Sequence, residues 1–209
     1  MTAAEDADYH IRVFEFTHNQ GTAEHFYRLS ISTGPWIDAV HPCAVEAGKA
    51  TEVTVYGRNL PGGKPDASLS SDDSPLEKIT VSVTAPANGS RLTFNGLLPP
   101  AASQLDGFEY RIKNETGWSN PFLVTFAHAA LVVESATAKT AEAPQVVTVP
   151  CEIAGHIEKE RDRDWYQFAA KKGEVYNIEL LSERLGARAY MFFVLKNADT
   201  KQDIVESQD

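Results

Sequence analysis

The chain has 209 residues, 43% of them hydrophobic, and carries 19 Lys and Arg against 29 Asp and Glu for a formal net charge of −10. That length and apolar content suffice for one large or two small domains with real cores, and exclude disorder throughout. The acidic balance, with no basic run longer than Lys171-Lys172, argues against nucleic acid, whose phosphates need a basic stripe, and against anionic membrane surfaces.

No stretch long enough for a helix keeps apolar residues at helical spacing without Gly or Pro, whereas β-branched and aromatic runs recur between turn signals. The predicted class is therefore all-β. The longest apolar runs, residues 127–133 and 189–195, fall far short of the ~20 residues of a membrane-spanning helix, so no membrane insertion is expected. Near the N-terminus Glu5, Asp6 and Asp8 stand where a secretory signal would carry positive charge. Tyr9-His10-Ile11-Arg12-Val13-Phe14-Glu15-Phe16 reads as a strand, His18-Asn19-Gln20-Gly21 as a turn, and His25-Phe26-Tyr27-Arg28-Leu29-Ser30-Ile31 as a second strand. An isolated hairpin is marginal in water, so it must pack on something.

Next, Trp36-Ile37-Asp38-Ala39-Val40-His41-Pro42 is an extended segment ended by proline. Glu46-Ala47-Gly48-Lys49 makes a turn, and Thr51-Glu52-Val53-Thr54-Val55-Tyr56-Gly57 alternates polar with apolar residues. With the element Gly57-Arg58-Asn59-Leu60, this order resembles the immunoglobulin-like domain shared by plexins and transcription factors, the IPT/TIG family. The resemblance implies an immunoglobulin-like β-sandwich over residues 34–134, with later strands expected at 79–83, 91–94, 108–113 and 121–127. Residues 64–75, rich in Ser, Asp and Pro, read as a solvated loop, and the Ala/Thr/Lys/Glu stretch 135–145 as a linker.

In residues 155–173, Asp162, Asp164, Trp165, Tyr166 and Phe168 form an acidic turn feeding an aromatic strand. Lys172-Gly173 is a turn pair, and Val175, Tyr176, Ile178 and Leu180 open a second strand, which predicts a hairpin. With Gly155 upstream and Leu185-Gly186-Ala187-Arg188-Ala189-Tyr190-Met191-Phe192-Phe193-Val194-Leu195 downstream, the segment resembles the bacterial pre-peptidase C-terminal domain. Residues 1–33 resemble the closing hairpin of such a module, 146–209 its N-terminal part, and 203–209 its acidic turn. The chain is thus expected to hold two partial copies flanking the middle domain, with the first hairpin docked on the C-terminal strands, within one chain or between two. The resemblance implies a partial jelly-roll-like β-sandwich module, a location outside the bacterial cytoplasm (extracellular or cell envelope), and a non-catalytic role in adhesion, substrate tethering or spacing. An accessory segment of a secreted peptidase or other hydrolase is the alternative. The implied partners are an extracellular polymer or protein and neighbouring modules of a parent chain.

No catalytic residue is assigned. G-x-S-x-G, H-E-x-x-H, a phosphate-binding glycine loop and paired zinc-ligand motifs are missing from the sequence. Of the six histidines, His10 and His25 are expected as a solvated cross-strand pair, and His41, His128 and His156 as isolated surface or boundary residues. Cys43 and Cys151 have neither C-x-x-C nor metal spacing and are expected as unpaired thiols, with a staple between the two module starts as the alternative. Hard cations take several oxygens from short carboxylate spacings, so Glu158, Glu160, Asp162 and Asp164 are the candidate calcium ligands, against a solvated turn paired with Arg161 and Arg163. Asp72-Asp73 is a weaker candidate of the same kind. Trp36, Trp118 and Trp165 can serve as stacking platforms or as core. Trp118, in a polar turn, is the one expected to be exposed.

Overall fold

Period-2 alternation shapes residues 35–127 into two sheets around one core. The computed structural model describes residues 3–71 and 74–208. Strands β1 (Trp36–His41), β2 (Ala44–Glu46), β3 (Ala50–Arg58), β4 (Lys64–Ser71), β5 (Ser74–Thr84), β6 (Leu92–Thr93), β7 (Gly107–Tyr110), β8 (Lys113–Asn114), β9 (Gly117–Trp118) and β10 (Phe122–Ala127) follow in order. One four-stranded sheet has the order β1-β3-β5-β4 and the other β2-β10-β7-β6. The only helical pieces among the described residues are two three-residue 3-10 turns, Ala102–Gln104 and Glu183–Leu185. The fold is all-β, and among the described residues no helix is long and apolar enough to cross a membrane.

The core joins inward residues of both sheets: Ile37, Val53, Val55 and Val83 from one, Val45, Phe108, Val124 and Phe126 from the other. On β3 the alternation expected from sequence is realised, with Val53, Val55 and Gly57 buried and Glu52 exposed. The Gly57-Arg58-Asn59-Leu60 element acquires a physical meaning. A Cβ on Gly57 would lie 2.0 Å from the Trp36 carbonyl oxygen, so β1 and β3 approach where only glycine fits. Asn59 sits at φ 54°, a left-handed conformation that Asn tolerates better than most residues. Leu60 then turns into the core, and its N–H donates to Glu77 Oε2 at 2.7 Å. Asn120 ties β1 to the entry of β10: Ile37 N–H donates to its Oδ1 at 2.7 Å, and its Nδ2 donates to the Ile37 carbonyl at 3.0 Å.

Several expectations are corrected. Residues 64–71 are strand β4, paired antiparallel to β5, not a loop; an edge strand has one neighbour and accommodates Pro65 and a polar sequence. Asp72-Asp73 lies outside the described residues, as does Asp209. Residues 9–16 and 25–31 carry no strand and, apart from Glu15, are exposed. The marginal hairpin therefore does not form, and within the chain these residues pair with none of the C-terminal strands.

C-terminal to the two-sheet unit come β11 (Ala130–Val133), β12 (Gln145–Val146), β13 (Cys151–Ala154), β14 (Tyr166–Gln167), β15 (Phe192–Lys196) and β16 (Asp203–Gln208). The expected pairing of 165–168 with 175–180 is absent. Instead β14 pairs parallel with β12, β11 pairs parallel with β13, and residues 203–208 form a strand against β15 rather than an acidic turn. Residues 135–145 are packed in place rather than strung out as a linker. Ala138 is buried, its carbonyl accepts from Trp165 N–H at 2.9 Å, and Gln145 N–H donates to the Trp165 carbonyl at 2.8 Å. A small side chain at position 138 permits that close backbone approach.

Candidate functional site

Backbone pairing brings a cluster of ionisable side chains together. The parallel register of β11 with β13 matches Val133 to Ala154, and Glu134 N–H continues it by donating to the Ala154 carbonyl at 2.9 Å. Glu134 is thereby set beside Gly155 and His156. A Cβ on Gly155 would lie 3.0 Å from both Glu134 Oε2 and Tyr166 Oη, so the bare glycine leaves room for a carboxylate and a phenol to converge. His41, at the end of β1, completes the group from the other unit, its ring centroid 4.6 Å from that of His156.

Lys139 is the hub. Its Nζ donates to Asp164 Oδ1 at 2.5 Å and Asp162 Oδ2 at 3.1 Å, and lies 3.9 Å from Glu134 Oε2. Hydrogen bonding to Asp164 and Asp162 holds its pKa above the usual lysine value. In return the Lys139 bond holds Asp162 below the usual carboxylate range, helped by the N–H of Glu158. Glu134 moves the other way, because burial disfavours its charge more than His156 and Lys139 favour it. Burial, then the charges of Asp164 and Glu134, push the Tyr166 hydroxyl up to about 12. Burial and the neighbouring His156 hold His41 below the usual histidine value. His156 Nδ1 lies 2.5 Å from Glu134 Oε1, while the buried Glu134 Oε2 has no hydrogen-bond partner.

The four candidate calcium ligands do not converge. Asp162 and Asp164 meet on Lys139, while Glu158 faces His156 Nε2 at 3.4 Å and Glu160 is exposed beside Arg161. The ammonium supplies the positive charge between the two aspartates, so a calcium ion there would have to displace it. Sequence reasoning missed Glu134 and Lys139 and took His41 and His156 as isolated. No local signal exposes them, since parallel pairing of distant segments builds the cluster.

Of the other histidines, His128 is tied to distant residues, its N–H donating to Glu152 at 2.7 Å and its ring lying 3.4 Å from Asp106, rather than isolated. His25 bonds Thr22 and Gln20 and His18 stacks on Phe14, and with no strand over residues 9–31 the expected cross-strand pair of His10 and His25 does not form. Cys43 and Cys151 are free thiols, and burial pushes the Cys43 thiol up.

A second feature is aromatic. Trp118 is 61% exposed, as expected, with Lys113 Nζ 5.6 Å from its ring centroid, and Trp36 is 53% exposed rather than core. The Asn120–Ile37 bonds place the two tryptophans on neighbouring backbone. Nearby, Asn114 Nδ2 donates to the Asn59 carbonyl at 3.2 Å, fixing the turn that flanks an open depression lined by Pro61, Gly62 and Thr116. Trp165 is half-buried.

Comparison with protein-family models, curated proteins and solved structures finds no match for this chain.

Proposed function

We propose that this chain is a non-catalytic β-module of a larger exported bacterial protein, acting in adhesion or substrate tethering outside the cytoplasm. The observation that carries this reading is the pair of exposed tryptophans, Trp36 and Trp118, held on adjacent backbone by Asn120. Large aromatic rings exposed on neighbouring backbone are costly to leave wet and well suited to stack on sugar rings or on apolar peptide side chains. The ammonium of Lys113 beside the Trp118 ring adds a polar contact at the same place. The sequence resemblance to the pre-peptidase C-terminal domain, a module appended to exported proteins, suggests the same role and location. The partner is an extracellular polymer or protein. A role in spacing is supported by the join between units, where β11 pairs with β13 and His128 N–H is held by Glu152.

The test is retention of the purified chain on insoluble cellulose, chitin and fibrillar collagen, with tryptophan fluorescence as a second readout. Trp36→Ala with Trp118→Ala should weaken binding to the retaining polymer by roughly tenfold or more while leaving the melting temperature unchanged, because neither ring is core. No retention on any of the three, or equal retention of the double variant, counts against the reading. An accessory segment of a secreted hydrolase is the second reading. It is favoured by exposed Phe192, Ile204 and Val205 on the β15–β16 hairpin, an apolar strand pair suited to cover by an adjoining domain.

A further inference from the structure

We infer that His41, Glu134 and His156 form a zinc site that clips the two-sheet unit to the C-terminal segment. One ligand atom from each lies within 4.8 Å of the others. Zinc binds imidazole nitrogen and carboxylate oxygen at about 2.0–2.1 Å, which places neighbouring ligand atoms of a tetrahedral shell roughly 3.3 Å apart. Side-chain rotation closes the wider gaps. The 2.5 Å separation of His156 Nδ1 and Glu134 Oε1 opens as the ion takes the place of the proton between them, and that proton leaves to solvent.

Two further observations point to a cation here. The Glu134 side chain is only 7% exposed, yet its Oε2 has no hydrogen-bond partner and faces the Lys139 ammonium only at 3.9 Å, an arrangement that leaves part of the cost of burying the carboxylate unmet unless a closer ligand supplies it. The neighbourhood also sets three carboxylates, Glu134, Asp162 and Asp164, against the single ammonium of Lys139, which leaves negative charge to be matched. Lys139 hydrogen-bonds the two aspartates and stands 3.9 Å from Glu134 Oε2, so of the three carboxylates Glu134 is the one it does not hydrogen-bond. His156 is partly exposed and offers the route of entry, with Glu158 beside its Nε2 at 3.4 Å. The ligands come from the end of β1, the residue after β11 and the loop after β13, so binding would tie β1, which pairs with β3, to the β11–β13 pair. The site stands whether or not the chain serves in adhesion.

The experiment titrates ZnCl2 into the reduced, chelator-stripped full chain by calorimetry, follows Co²⁺ binding by absorption, and records the imidazole resonances. Expected are one zinc per chain, a raised melting temperature, and cobalt bands without thiolate charge transfer. His41 and His156 should shift while His10, His18, His25 and His128 stay. His41→Gln and His156→Gln should each weaken binding at least about tenfold, since even outer-shell changes cost that much. The idea is overturned by absence of saturable binding, by unchanged affinity in both variants, or by a thiolate band lost on Cys43→Ser with Cys151→Ser. If a variant fails to fold, the wild-type resonances decide: shifts confined to the N-terminal histidines also overturn it.

Discussion

At position 57 the chain has no freedom of choice. A methyl group on Gly57 would press to 2.0 Å from the Trp36 carbonyl oxygen and 3.2 Å from Leu60 Cδ2, and the first of these is backbone that cannot swing aside. Gly57→Ala should therefore destabilise the protein by about 3 kcal/mol or prevent folding, read as a lowered urea midpoint, whereas Gly62→Ser on the open turn should cost far less. Gly62 has a φ of 74° but free space around it, so only backbone strain opposes a side chain there. The contrast separates a glycine required by close approach from one favoured by conformation. Sequence alone marked Gly57-Arg58-Asn59-Leu60 as a unit; which atom excludes the methyl group is a fact of strand pairing and could not be read from it.

Among the elements, β3 and β5 were legible because each places apolar residues on the core side at period 2, whereas β1, with a register shift between Ile37 and Ala39, and β10, buried at three successive positions, were legible from β-branched and aromatic residues next to proline. Strand β4 was not, since an edge with little to bury shows no alternation, and Tyr166-Gln167 was assigned the wrong partner because parallel pairing joins distant segments. The same long-range pairing hid the Lys139 hub: Asp162 and Asp164 were singled out as an acidic turn, but their counter-ion lies in the stretch expected to be a linker. The hub makes a prediction whose sign follows from Asp162. Its pKa is lower folded than unfolded, so its interaction with Lys139 stabilises the protein above about pH 4 and is lost as pH falls through the lower folded value. Lys139→Met should consequently lower the denaturant midpoint at pH 7, with three carboxylates left facing one another. The gap between variant and wild type, measured by denaturant melts at a series of pH values, should shrink steadily below pH 4. A gap that stays constant with pH would show that Lys139 acts through its aliphatic packing instead.

On the scale of the whole molecule, stability is concentrated between residues 35 and 127. Every member of the main buried cluster lies from Ile37 to Phe126, while residues 9–33 carry no strand and leave Phe16, Phe26, Tyr27 and Ile31 at least 70% exposed. Removing residues 1–33 therefore deletes no core contact and exposes no new strand edge, because β1 begins at Trp36 and already pairs with β3. What it deletes is apolar surface held in water, the kind of surface that drives association. The truncated chain should melt within about 2 °C of the full one, since a shift of that size corresponds to no more than about 1 kcal/mol for a chain of this length. Its C-terminal strands should resist protease equally well, and sedimentation should show less self-association than the full chain at the same concentration. Docking of the first segment on the C-terminal strands, within the chain or across a dimer, predicts the opposite pattern: faster cleavage in residues 146–208 once 1–33 are gone, and a lower melting temperature that depends on protein concentration. The two patterns differ in every readout, so a single pair of proteins, full and truncated, distinguishes a segment that the core does without from one that completes it.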